Sequence, residues 1–135
     1  MKYFKLSIIA LIAVIGVITS CSLGDDGEQT CRTSSYARIT NVVSQDTIQV
    51  GVPATADVTF TISNNCGTFF NFAESATINP REVGVVINFD GCECNNVATT
   101  ATRTYNFTPT TVGQFVIKYF VSQNNYITKV YTVIE

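Results

Sequence analysis

A chain of 135 residues with eight basic and ten acidic side chains is one domain's worth of protein, and it holds no Lys or Arg cluster able to neutralise a nucleic-acid backbone. It contains no histidine, which excludes Ser-His-Asp and Cys-His catalysis and any histidine-ligated metal centre; tryptophan is absent as well. Only 13% of residues are charged, while Thr, Val, Ile, Asn, Phe and Tyr are abundant, a composition suited to half-buried pleated sheet rather than helix.

In chain order, Lys2 and Lys5 precede an uncharged apolar run from Leu6 to Ile18, then Thr19 and Ser20 stand before Cys21. Charged, apolar and small-residue regions in that order predict a secretory signal helix that is cleaved rather than folded. The run is too short to span the bilayer, which needs about 20 residues for roughly 30 Å of hydrocarbon. Ile18-Thr19-Ser20-Cys21 resembles the lipobox of bacterial lipoproteins. That resemblance implies cleavage before Cys21, diacylglycerol on its thiol, and acylation of the new amine. Two or more chains anchor stably, because each buried methylene contributes about 0.8 kcal/mol. Ser22, in place of an aspartate, implies the outer membrane. Asp25, Asp26 and Glu28 resemble the acidic surface-export signal of Bacteroidetes lipoproteins; a solvated linker has the same composition, so cell surface and periplasmic face both stay open. The competing reading of Cys21 is an unmodified thiol beside an ordinary signal peptide.

Loss of residues 1–20 leaves six basic and ten acidic side chains, a mature chain four charges negative. Residues 21–35, rich in Gly, Ser, Thr and acids without periodicity, are expected to form a flexible acidic tether ahead of a domain over 36–135. A first edge strand is predicted from Tyr36 to Val43 and a short second one from Thr47 to Val50, before Gly51-Val52-Pro53. Val58, Phe60 and Ile62 alternate with Asp57, Thr59, Thr61 and Ser63, as a strand with one buried face requires. Thr68 to Ile78 reads as a strand, with a bulge where Phe69, Phe70 and Phe72 crowd, ended by Asn79-Pro80. Val83, Val85, Ile87 and Phe89 alternate up to Asp90-Gly91, and Cys92-Glu93-Cys94-Asn95-Asn96 forms a corner. Strands follow from Val97 to Thr108, from Gly113 with Phe115, Ile117, Tyr119 and Val121 on one face, and from Tyr126 to Ile134 after a Gln123-Asn124-Asn125 turn.

Seven to eight short strands with turn signals about every ten residues predict an all-β, two-sheet sandwich. Tyr105-Asn106-Phe107-Thr108-Pro109 followed by Gly113-Gln114-Phe115-Val116-Ile117 resembles the E to F corner of immunoglobulin-like domains, with Phe115 where tyrosine is common. The resemblance covers the last third of the chain. It departs from the antibody pattern in lacking the core tryptophan and in placing Ile117 where a core cysteine would stand, so the implied relative is a bacterial immunoglobulin-like domain. Fold likeness does not supply function.

With Cys21 assigned to lipid, Cys31, Cys66, Cys92 and Cys94 are an even set in an oxidising compartment, and two disulfides are expected. Cys92 and Cys94 flank one residue, so a bond between them needs a strained turn. Each is expected to bond one of Cys31 and Cys66, the pairing left open. A four-thiolate metal site or redox dithiol is the competing reading, and the single residue between Cys92 and Cys94 is too short a spacing for it. No cofactor and no metal are expected.

Asp90, Glu93, Glu74 and Glu82 could supply a carboxylate pair for glycoside hydrolysis, but nothing in their spacing asks for it. Asp46-Thr47-Ile48 resembles the sequon at which Bacteroidetes attach O-glycans, with Thr47 as acceptor; an aspartate that starts a turn before an edge strand is the preferred account. Three aromatics as close as Phe69, Phe70 and Phe72 cannot all share one face of a regular strand, which makes Phe69 and Phe70 the candidate ligand contacts. The expected function is a non-catalytic binding, adhesion or complex-assembly module on a lipid-anchored envelope protein, with the membrane and an unidentified protein or carbohydrate as partners. The alternative is a small carboxylate enzyme or a thiol or metal-binding protein.

Overall fold

The computed structural model of the protein describes residues 31–135; the expected signal peptide, Cys21, and Asp25, Asp26 and Glu28 lie outside the described residues. The described chain is all-β: β1 (Arg32–Ser44), β2 (Thr47–Gln49), β3 (Ala54–Ile62), β4 (Gly67–Glu74), β5 (Arg81–Asp90), β6 (Thr99–Phe107), β7 (Gly113–Ser122) and β8 (Asn125–Ile134). Among the described residues there is no helix.

Where one face of a strand meets the core, alternation places it. Val58, Phe60 and Ile62 of β3 are buried, as are Val83, Val85 and Ile87 of β5 and Phe115, Ile117 and Tyr119 of β7. The strand ends differ from expectation where that signal is missing. β1 begins at Arg32 rather than Tyr36, and Arg32–Ala37 pair antiparallel with β5, so residues 32–35 are strand and not tether. Both faces of that stretch are exposed, which removes any hydrophobic period. It is held instead by cross-strand polar pairs, Arg32 Nη2 to Asp90 Oδ2 at 2.9 Å and Ser34 Oγ to Asn88 Oδ1 at 2.7 Å. β4 stops at Glu74 rather than Ile78, because Ser75 closes the loop to β5: its N–H donates to the Glu82 carbonyl, and its hydroxyl accepts the Glu82 N–H, both at 2.9 Å. Val121, expected to face inward with Tyr119, is only half-buried, since the β7–β8 register shifts between Phe120 and Ser122.

The strands form one mixed sheet in the order β2-β8-β7-β5-β1-β3-β6, with β4 on β5 off that path. Two pairings are parallel, β2 with β8 and β5 with β7. The sheet curls into a half-barrel, and β1 makes the turn. Its first half pairs with β5 and its second half, from Arg38, with β3, with a register shift between Ile39 and Asn41. The curl brings β4 opposite β3 and β6 across the core without pairing: the Phe69 ring lies 5.9 Å from Phe60, and Phe72 lies 5.2 Å from Tyr105. The aromatic series continues from Tyr105 through Phe107 to Tyr131 at centroid spacings of 5.7 and 5.0 Å.

Candidate functional site

The two disulfides are Cys31–Cys92 and Cys66–Cys94, so Cys92 and Cys94 each leave the same corner for a different strand end. One bond fixes the start of β1, the other the entry to β4. Gly91 completes the corner at φ 140°, where a Cβ would stand 3.1 Å from Cys66 Sγ; its N–H donates to the Cys31 carbonyl at 3.0 Å.

Phe69 and Phe70 do not come together as a ligand surface. The β4–β5 register shifts between Phe69 and Asn71, so Phe69 and Phe72 both point inward with ring centroids 5.2 Å apart, and Phe70 is the extra residue, 60% exposed. Phe69 is packed against the core and carries the Arg103 guanidinium 5.7 Å above its ring. Phe70 thus remains as a lone exposed aromatic.

Of the candidate carboxylates, Glu74 and Glu82 line one hollow of the sheet, and Asp90 stands apart from them. Asp90 is paired with Arg32, Glu74 Oε2 lies 3.2 Å from Arg81 Nη1, and Glu82 accepts a hydrogen bond from the Tyr126 hydroxyl at 3.4 Å. Arg81 also donates to the Tyr105 hydroxyl at 3.3 Å and lies over the Phe115 ring, which makes the Glu74-Arg81-Tyr105 group a brace at the rim of the core. Burial pushes the Tyr105 phenol up to about 12, although the hydrogen bond from Arg81 pulls the other way. Thr47 is exposed on β2, where it pairs with Thr132 of β8. Among the described residues no three His, Cys, Asp or Glu side chains stand together as a metal site.

What the register does bring together is a hollow on the outer face of the sheet. On β5 the inward residues are Val83, Val85 and Ile87, so Glu82, Gly84 and Val86 face out. Tyr36 of β1 is opposite Val86, Ala73 of β4 is opposite Gly84, and Tyr126 of β8 is opposite Phe120 of β7. Residues directly opposite in a ladder share a face, so these side chains meet over β5. Ala73 and Gly84 have the two smallest side chains available, and they form the floor of a cavity of about 250 Å³. Tyr36, Phe120 and Tyr126 stand around it, with Glu74, Ser75 and Glu82 at its border. The Tyr36 and Phe120 centroids are 5.4 Å apart with planes inclined at 51°, and Phe120 and Tyr126 are 6.1 Å apart at 76°. Gly84 is required for this arrangement: a Cβ there would stand 2.8 Å from Cδ1 and Cε1 of the Tyr36 ring. Tyr36 nevertheless stays 58% exposed, open to a ligand from the solvent side.

Two carboxylates line the hollow: Glu74 is paired with Arg81, and Glu82 stands opposite Lys118 in the β5–β7 register. The Glu82 carboxylate lies on one side of Tyr126, and Lys118 Nζ lies 5.9 Å from the centroid of the same ring. A larger cavity of about 460 Å³ lies at the disulfide corner, between Cys31, Arg32, Asn64, Phe89 and Gly91. Its one charged group, Arg32, is already held by Asp90, and Phe89 is its one aromatic. The smaller hollow therefore offers the richer recognition chemistry. The sequence reading missed it, although Gly84, alone inside an alternating strand, signals a close approach to the backbone. No family model matches the chain, and neither a curated protein nor a solved structure does.

Proposed function

We propose that this protein is a lipid-anchored lipoprotein of the bacterial outer membrane, whose β domain is a non-catalytic binding module related to immunoglobulin-like sandwiches. The observation that carries the binding reading is the aromatic hollow of Tyr36, Phe120 and Tyr126 on the outer face of a rigid sheet. Sites built on paired strands hold their side chains in fixed relation, and here three strands and a glycine floor serve nothing in the core. The pairing of Glu74 with Arg81 and of Asp90 with Arg32 supports a module without hydrolytic chemistry, since neither carboxylate is poised as a free acid or base. The kinship to a sandwich is supported by β1, which serves one leaf with β3 and β6 and the other with β5; the parallel β2–β8 and β5–β7 pairs are where the domain departs from an all-antiparallel sandwich. Two disulfides fit an exported domain.

The test has two arms. Cells fed labelled palmitate should label the wild-type chain and not Cys21→Ala; equal labelling defeats the lipoprotein reading. The detergent-purified full chain should bind isolated envelope material, and Tyr36→Ala with Phe120→Ala should abolish that binding without loss of the β-sheet circular dichroism. Binding that survives both substitutions, or turnover of the bound material that Glu82→Gln removes, would replace the module by another site or by an enzyme.

A further inference from the structure

The hollow's lining also bears on what occupies it, and this inference rests on the binding-module reading above. We propose that it takes one ring of a neutral glycan. A pyranose presents two kinds of surface at once: a patch of C–H bonds on its face and hydroxyls around its rim. Tyr36 and Tyr126 line the hollow with aromatic rings that suit the first, since the negative face of an aromatic ring attracts polarised C–H groups. Glu82, at the border of the same hollow, offers carboxylate lone pairs to the second, and only one of them is engaged, weakly, by the Tyr126 hydroxyl at 3.4 Å. Hydrogen bonds to an ionised acceptor are the strong ones, so Glu82, the lining carboxylate that no arginine holds, is enough to orient a polyol.

Size and charge narrow the class. A cavity of about 250 Å³ suits one six-membered ring and is too small for a folded partner's loop. It opens to solvent, so the ring can belong to a longer chain. A cation such as a quaternary ammonium also favours inclined aromatic rings. Here, however, Lys118 already places an ammonium 5.9 Å from the Tyr126 centroid, and Glu82 offsets it. The lining carboxylates Glu74 and Glu82 repel an anion, while Arg81 on Glu74 and Lys118 beside the Tyr126 ring offset their pull on a cation, so an uncharged ligand is the one the hollow favours. A polyproline segment needs an aromatic groove several residues long, and this hollow is bounded at Ser75 and Glu82.

The test uses isothermal titration of the detergent-purified full chain with cellotetraose, xylotetraose, mannotetraose and chitotetraose, and with choline chloride and a proline decapeptide. At least one tetrasaccharide should bind, Tyr36→Ala and Tyr126→Ala should each weaken it about tenfold, and Glu82→Gln should weaken it several-fold. Gly84→Ala, which forces the Tyr36 ring aside, should weaken it as well, while Phe70→Ala at the β4 bulge, outside the hollow, should leave it unchanged. Aromatic proton spectra of each variant identify any that fails to fold. Binding that ignores the Tyr36 and Tyr126 substitutions, or no heat with any tetrasaccharide at millimolar concentration, overturns the proposal. Choline or proline-peptide binding without saccharide binding overturns the glycan class alone and leaves the binding module standing, as does envelope binding that remains sensitive to Tyr36→Ala when every tetrasaccharide fails.

Discussion

The hydroxyls of Tyr119 and Tyr131 meet 3.1 Å apart inside the core, with the two residues 0% and 1% exposed, and Tyr131 donates onward to Ser44 Oγ at 3.1 Å. This chain ties β7 and β8 to the far end of β1, and it satisfies hydroxyls that would otherwise be buried without a partner. Tyr131→Phe removes its middle member and strands the Tyr119 hydroxyl, so it should cost about 1–3 kcal/mol in urea denaturation. Tyr119→Phe leaves the Tyr131–Ser44 bond in place and should cost less. Equal losses would show that stranding the Tyr119 hydroxyl adds nothing to the loss of the bond itself.

Tyr119 and Tyr105 set the alkaline limit of the fold. Burial raises Tyr119 above its ordinary value of 10.0, reinforced by the Tyr131 hydroxyl, and burial raises Tyr105 to about 12. Both phenols are thus favoured as neutral groups in the native state, while the unfolded chain releases their protons from pH 10.0 upward. Their contribution is complete below pH 10.0 and is lost as the pH climbs through and beyond the folded value of about 12 for Tyr105. Urea midpoints should be flat from pH 8 to 9.5 and fall steeply above 10, and Tyr119→Phe should flatten that fall. An unchanged slope in the variant would assign alkaline unfolding to other groups.

Two adjacent phenylalanines should behave in opposite ways. Phe69 packs on Phe60 and Phe72 beneath Arg103, whereas Phe70 is the bulged residue and points to solvent. Truncating Phe69 to Ala opens a void in the core and should cost about 2–4 kcal/mol. Phe70→Ala should change stability by less than about 0.5 kcal/mol. Comparable losses at both positions would contradict the bulge.

These contrasts show what is readable in the residues alone. The inward faces at Val58, Phe60 and Ile62 and at Val83, Val85 and Ile87 are legible because one side of each strand is buried and the other wet. Arg32 to Ser35 are not, because both faces there are exposed and the pairing rests on backbone bonds and on partners more than fifty positions away, Asp90 and Asn88. The crowding of Phe69, Phe70 and Phe72 announces a bulge, but which ring turns outward depends on the β5 register. The hollow is harder still. Tyr36, Phe120 and Tyr126 come from three strands, and their convergence follows from β5 running beside both β1 and the parallel β7, a sheet order that no local pattern encodes.

Asn79 illustrates a residue whose role is invisible in its motif. In sequence it reads as the residue before a breaking proline, yet its side chain works as a piece of backbone for β7. Its Nδ2 donates to the Gln114 carbonyl at 2.9 Å, and its Oδ1 accepts the Val116 N–H at 3.0 Å. Those β7 groups lie just short of Ile117, where the pairing with β5 begins. Asn79→Ala should therefore cost about 1–3 kcal/mol and speed amide hydrogen exchange at Val116. Asn79→Asp keeps the acceptor for Val116 but sets a carboxylate against the Gln114 carbonyl, so it should protect Val116 while still lowering stability.

The start of the domain can be tested by truncation. If folding needed only residues 36–135, a chain beginning at Tyr36 would match one beginning at Cys31. The structure places Arg32–Ser35 in the ladder with β5 and closes it with Cys31–Cys92, a bond across a separation of 61 residues. Chain entropy alone assigns such a bond about 4 kcal/mol, and the shorter Cys66–Cys94 closure somewhat less. The Tyr36 start loses the bond, the Arg32–Asp90 pair and the Ser34–Asn88 pair together, and it also leaves Cys92 without its partner beside the Cys66–Cys94 bond. It should unfold at a markedly lower urea concentration than the Cys31 start. The double substitution Cys31→Ser with Cys92→Ser should fall between the two, because it keeps the polar ladder and gives up only the covalent closure. A double variant as unstable as the truncation would mean that the strand pairing of residues 32–35 depends wholly on the disulfide.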